Sequence, residues 1–134
     1  MGGYMEDCIF CKIVKGEMPS YKVYEDETYV AFMDVFPRVK GHVLLVPKEH
    51  YRWVYDVPDF GGYWEMAKNI GMKVQKTVGS DYLSFITMGE AVPHAHIHIL
   101  PQQHGEIHGI KFMPVVEMSK EEIGKLAQEI ADKT

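Results

Sequence analysis

Cysteine is scarce in this 134-residue chain: there are two, Cys8 and Cys11, and one close pair in an acidic chain argues against the disulfide framework of small secreted domains. Long apolar runs are missing as well. No stretch approaches the roughly 20 apolar residues of a membrane-spanning helix, and no basic segment followed by an apolar one opens the chain, so the expected location is the cytoplasm. No Lys/Arg run stands out, and a net charge of −5 lacks the basic footprint of a protein that binds long nucleic acid. Internal repeats and low-complexity segments are absent. What is present is an ordinary globular composition, 46% hydrophobic and 25% charged, in a length that suits one domain whose modest core would gain from dimerisation.

Residues 21–32 (YKVYEDETYVAF) place strand formers on either side of Glu25, Asp26 and Glu27, the pattern of a hairpin. The loop 37–41 (PRVKG) leads to a third strand over His42–Pro47, and residues 82–88 and 94–100 read as the fourth and fifth. Between them Phe60, Trp64, Ala67, Ile70, Val74 and Val78 recur at steps of three and four, marking one face of a helix that Gly79 caps. Gly61, Gly62 and Gly71 weaken that helix, so packing must hold it. A last helix starts at Ser119, whose spacing to Glu122 is that of a capping box, and is expected to bury Ile123, Leu126, Ala127, Ile130 and Ala131. Connections this short do not suit repeated parallel crossovers. The expected fold is therefore α+β, a mainly antiparallel five-stranded sheet with two main helices.

His94, Ala95, His96, Ile97 and His98 are the informative feature, because residues i, i+2 and i+4 of a strand share one face. Three imidazoles then line one surface while Ala95, Ile97 and Ile99 face the core. Neutral imidazole is both a nucleophile and a metal ligand, so the row suits phosphoryl chemistry or a metal. Cys8-Ile9-Phe10-Cys11 is by itself half of a tetrahedral zinc site and equally the shape of a redox motif. The redox reading needs a helix start in a thioredoxin-like βαβ context, and the absence of that context favours metal.

The run His94 to Leu100 resembles the histidine triad of the HIT superfamily, alternating histidine with apolar residues. The similarity extends to CIFCKIVKGEMPS (8–20), YVAFMDVFPRVKGHVLLVPKEH (29–50) and PHAHIHILP (93–101), in the order and approximate spacing of small bacterial members of the Hint branch. It covers most of residues 6–101, leaving 102–134 as a tail and helix of one HIT domain. The resemblance implies a nucleotide-binding α+β fold, a homodimer, and action on a purine nucleoside phosphoramidate or a dinucleoside polyphosphate.

Carried over residue by residue, the resemblance makes His96 the nucleophile that attacks the α-phosphorus and forms a covalent nucleotidyl intermediate. His98 and His42 would assist the phosphate and the leaving group, by general-acid and electrostatic action. Asp34 would accept hydrogen bonds from the ribose hydroxyls, and Ile9, Phe10, Ile13, Phe32 and Val35 would line the base pocket, although each of these apolar residues could equally be core. Members with the cysteine pair bind a structural zinc through two further histidines, and the matching positions are His50 and His94. A competing reading places all three triad histidines on one catalytic metal. His104 and His108 are expected in a solvated loop.

The chain departs from the family pattern just before the triad. Gly89-Glu90-Ala91-Val92 stands where Gly-Gln-Ser or Gly-Gln-Thr is usual. Ala91 cannot donate to a phosphate oxygen, and an ionised Glu90 would repel one or select a cationic leaving group. A zinc-stabilised nucleotide-binding protein without turnover is the alternative that these two residues keep open.

Overall fold

The computed structural model describes residues 3–105 and 114–133. The chain forms two compact units, Met1–His104 and Gly105–Thr134. In the first, helix α1 (Ile9–Lys15) precedes strands β1 (Lys22–Glu25), β2 (Tyr29–Met33) and β3 (Val43–Pro47). A single 3₁₀ turn (Val54–Asp56), helix α2 (Phe60–Val78) and strands β4 (Tyr82–Ile86) and β5 (Ile97–Gln102) complete it. The second unit carries helix α3 (Lys120–Asp132). No helix among the described residues is long and apolar enough to cross a membrane.

The five strands form one sheet in the order β1-β2-β3-β5-β4, every neighbouring pair antiparallel, which bears out the expected α+β class. The β1–β2 hairpin turns where expected. The Asp26 carboxylate accepts from the amides of Thr28 and Tyr29, each at 2.7 Å, which stabilises the tight turn. Alternation within the central strands divides the interior into two layers. Tyr29, Ala31, Val43, Leu45, Ile97 and Ile99 pack with α2, whereas Val30, Phe32, Leu44 and Val46 pack with α1 and its cysteines.

The observed helix α2 has the expected ends, with Asp59 as N-cap and Gly79 left-handed at its end. Its buried face is turned, however: Tyr63, Ala67, Ile70 and Gly71 are buried, while Phe60 is exposed. Tyr63 is fully buried and donates its hydroxyl to the Leu45 carbonyl at 2.7 Å, so a polar tip joins the core with its hydrogen bond made. Gly71 is also more than a weak point. A Cβ there would lie 3.1 Å from Leu83 and from Phe85, so the glycine allows β4 to approach the helix.

Three further expectations are corrected. First, beside the two expected helices, Ile9–Lys15 form a third that no sequence pattern announced; Cys8 is its N-cap, accepting from the Cys11 amide at 3.2 Å, and Gly16 closes it at φ 81°. Second, the fifth strand begins at Ile97, not His94. Pairing with β3 stops at Leu45–Ile97, and beyond it the Ala95 amide bonds to the Tyr51 carbonyl. Third, α3 has its capping box between Ser119 and Glu122, yet buries none of Ile123, Leu126, Ala127, Ile130 and Ala131. An amphipathic stripe specifies the helix but not what covers it.

Candidate active site and metal centre

The Cys-x-x-Cys spacing occupies the first turn of α1, so both sulfurs face the same side. His50 follows β3 and His94 precedes β5, and all four ligand atoms lie within 4.8 Å of one another. Cys8 Sγ is 3.2 Å from His94 Nδ1, and Cys11 Sγ is 3.3 Å from His50 Nδ1 and 3.5 Å from His94 Nδ1. Tetrahedral coordination with zinc–sulfur and zinc–nitrogen bonds of ordinary length gives sulfur–nitrogen edges of about 3.5 Å, so the four residues fit a metal ion. The ring proton is placed for it too: His94 donates Nε2–H to the Pro47 carbonyl at 2.9 Å, which turns the Nδ1 lone pair to the sulfurs. The site can therefore hold a metal, closed by four protein ligands.

The cysteine pair does lie at a helix start, contrary to the sequence-based expectation. Its environment is still not that of a redox cysteine. Burial pushes the Cys11 thiol up to about 11, the opposite of the lowered value that makes a thiol reactive.

His96 and His98 turn into a different space. His96 donates Nδ1–H to the backbone carbonyl of His94 at 2.7 Å, leaving its Nε2 lone pair free. His42 is fixed by the Arg38 amide, which can only donate, to His42 Nδ1 at 3.1 Å. The proton of His42 is consequently on Nε2, where it bonds His98 Nδ1 at 2.8 Å, with Asp34 Oδ2 3.5 Å away. The remaining donor of His98 is then its own Nε2–H. Burial lowers the pKa of His42 and His96, and burial with the neighbouring imidazoles brings His98 down to about 4, so these rings are neutral at pH 7. Burial likewise lowers His94 to about 4, which suits a metal ligand that must be unprotonated.

A cavity of about 630 Å³ opens over these rings. Its lining includes His42, His96, His98 and Asp34, and also Ile9, Phe10, Ile13, Phe32 and Val35, the residues expected around a base. Phe10 sets its ring edge-on to Phe32, His94 and His96 at centroid distances of 5.6, 5.8 and 5.2 Å, so one α1 residue bridges the metal cluster and the cavity. Glu90 is not brought in: it is exposed and absent from the lining, whereas Ala91 and Val92 line it. His104 is exposed and stacks on Tyr82, and His108 lies outside the described residues.

Sequence reasoning missed Arg38, Met18, Leu44 and Ile86 in the lining. Strand alternation could have found Leu44 opposite Leu45; the others carry no local signal. It also missed Arg52, which donates to the Gly89 carbonyl from the adjoining segment.

Three neutral imidazoles on the wall of a large cavity, beside a Cys₂His₂ cluster, on a five-stranded antiparallel sheet, define a class of small α+β proteins built around a histidine-alternating segment that leads into a strand. The HIT domain family matches over residues 15–105, and the chain belongs to that family. It is 38% identical over 125 residues to an uncharacterised HIT-like protein of Methanocaldococcus jannaschii, covering 88% of this chain and 96% of that one. It is 32% identical over 131 residues to the adenosine 5'-monophosphoramidase of Saccharomyces cerevisiae, covering 94% of this chain and 82% of that one. Among solved structures, a Streptococcus mutans protein superposes with a TM-score of 0.85 at 37% identity, covering 99% of this chain and 88% of that chain.

Proposed function

We propose that this protein is a nucleotide hydrolase that cleaves at the α-phosphate of a purine nucleoside phosphoramidate through a covalent nucleotidyl-His96 intermediate. The observation that carries the reading is the His96 ring on the cavity wall, with its Nδ1 proton held by the His94 carbonyl and its Nε2 free. In this reading the Nε2 lone pair forms the bond to phosphorus as the bond to the leaving nitrogen breaks, and water then attacks the adduct to release the nucleotide. His98, whose Nδ1 is held by the Nε2–H of His42, offers its own Nε2–H to the phosphate oxygens and leaving group, and Asp34 offers its carboxylate to the ribose. Ile9, Phe10, Ile13, Phe32 and Val35 hold the base, and the relative named as an adenosine 5'-monophosphoramidase supports adenosine as that base's nucleoside.

In the same proposal Cys8, Cys11, His50 and His94 hold zinc. With four protein ligands the ion is structural and supplies rigidity, not an activated water. The protein acts as a homodimer in the cytoplasm; support for the dimer is the β4 sheet edge with exposed Tyr82 and the exposed Phe60 and Met72 on α2.

The test is intact-protein mass spectrometry after brief reaction with an adenosine phosphoramidate, wild type beside His96→Ala. A nucleotidyl adduct or AMP released by wild type alone is the expected result. Nucleotide binding with neither signal would replace the hydrolase reading by that of a binding protein, and faster turnover of a dinucleoside polyphosphate would reassign the substrate.

A further inference from the structure

The loop before the triad lacks the neutral side-chain donors expected at 90 and 91, yet it is held in a defined shape. Gly89 is buried at φ 73°, and a Cβ there would lie 3.0 and 3.1 Å from two ring carbons of Trp53. Arg52 lies over that same indole, its guanidinium carbon 3.7 Å from the ring centroid, and donates Nη1–H to the Gly89 carbonyl at 2.6 Å. Gly89 is thus held by contact with an aromatic ring and by a charged donor that lies over that ring. On either side, Thr87 donates its hydroxyl to the His96 carbonyl at 2.7 Å, and the Ala95 amide bonds to the Tyr51 carbonyl at 2.6 Å.

The three residues after Gly89 carry the consequence of this clamp. The amides of Glu90, Ala91 and Val92 make no hydrogen bond among the described residues, and Ala91 and Val92 line the cavity beside His96. Consecutive unpaired amides after a left-handed residue are the elements of an anion-binding nest, provided the turn is held. A glycine alone would not hold it, since an exposed loop of small residues samples many conformations.

We propose that Arg52 is a positioning residue: by holding the Gly89 carbonyl over Trp53, it fixes the loop so that main-chain amides of residues 90–92 bind the phosphate that the side chains there cannot. The inference rests on the reading of this cavity as a nucleotide site. It concerns binding of the phosphate and does not require turnover. Arg52 does not line the cavity and acts through the loop.

The experiment compares AMP with adenosine, measuring affinity for each by calorimetry in the full chain, in Arg52→Met and in Arg52→Lys. Methionine keeps an apolar stem for Trp53 and removes the donor; lysine restores a charge and one donor. Wild type is expected to bind AMP more tightly than adenosine. In Arg52→Met the AMP affinity should fall about 10-fold, the size of one charge-assisted hydrogen bond, with adenosine unchanged within about 2-fold and partial recovery in Arg52→Lys. Metal content and thermal midpoint are measured on the same samples because His50 is close in sequence. Equal losses for AMP and adenosine, or loss of metal, would make Arg52 merely structural and overturn the proposal. So would unchanged AMP affinity, or a wild type that binds both ligands alike. Gly89→Ala, which drives a Cβ against Trp53 and to 3.6 Å from Arg52 Nη1, should reproduce the AMP-selective loss if Arg52→Met does not fold. Should wild type show the AMP preference without hydrolysis, the hydrolase reading fails and the role of Arg52 stands.

Discussion

In the proposed reading, removing the zinc should disable His96 as nucleophile without emptying the cavity for the nucleotide, because one residue serves both. The His94 ring enters the Cys₂His₂ cluster, and the His94 carbonyl accepts the Nδ1 proton of His96 at 2.7 Å. Phe10, on the helix that carries both cysteines, packs edge-on against His96 as well. The core layer between the sheet and α2 contains none of the cysteines, so the first unit should remain folded when the cluster is emptied. With His94 released, the His96 ring loses its fixed tautomer and aim, a loss worth about 10²-fold in rate when a catalytic imidazole is misaligned. The perturbation is chelation under native conditions, and independently Cys8→Ala. The assay measures AMP release, AMP affinity, circular dichroism and metal content on the same protein. Expected are a retained fold, a lowered thermal midpoint, kcat down about 100-fold, AMP affinity changed much less, and recovery when zinc is returned to the chelated wild type. A metal-free, folded protein with kcat within about 2-fold of the starting value would refute the coupling.

The charges and the loop around the cavity set two further outcomes. Because His98 titrates at about 4 in the folded protein and has an ordinary value of 6.5, activity should hold between pH 7 and about 6 and fall toward pH 4 as the pair with His42 takes up a proton. Stability has the same sign: the unfolded chain binds that proton at higher pH than the folded one, so stability is lost as pH falls from 6.5 toward 4. Urea midpoints across that range should shift less in His98→Asn, and equal shifts would remove His98 from the account. At the loop, Glu90→Gln should change kcat/KM for amine phosphoramidates by less than about 3-fold, whatever the charge of the leaving group, because an exposed carboxylate is screened by solvent. Ala91→Ser places a hydroxyl at the cavity lining and should raise kcat up to about 10-fold; steady-state kinetics on the two variants decides both.

Much of the site is legible in the residues themselves. Alternation of histidine with Ala95, Ile97 and Ile99 requires opposite faces, and the three apolar residues are indeed buried on the α2 side. The family resemblance assigns His94 to the cysteines and His96 and His98 to a ligand; in the structure the His94 ring meets the cysteines, and the His96 and His98 rings line the cavity. Local patterns also specify α2, the capping box at Ser119 and the hairpin at Asp26, because those depend on residues a few positions apart. They fail where a long-range partner decides. The buried stripe of α2 is turned from the one its periodicity marks because Tyr63 reaches the Leu45 carbonyl and Gly71 admits β4. The stripe of α3 has the spacing of a core face, although its described residues are exposed.

Period and spacing are properties of the local backbone, so the order of residues alone specifies which side chains carry the chemistry, where they fall along the chain and which face of a strand they share. Which nitrogen of each imidazole is free is settled in three dimensions. For His94 that choice depends on the Pro47 carbonyl, 47 residues away and brought in by the folded sheet; for His96 and His42 it depends on the His94 carbonyl and the Arg38 amide, 2 and 4 residues away, which the folded backbone turns toward the rings. The clamp that Arg52, near His50 in sequence, places on a glycine 37 residues away is of the same kind, because a hydrogen bond and an aromatic face become neighbours only after the chain has folded.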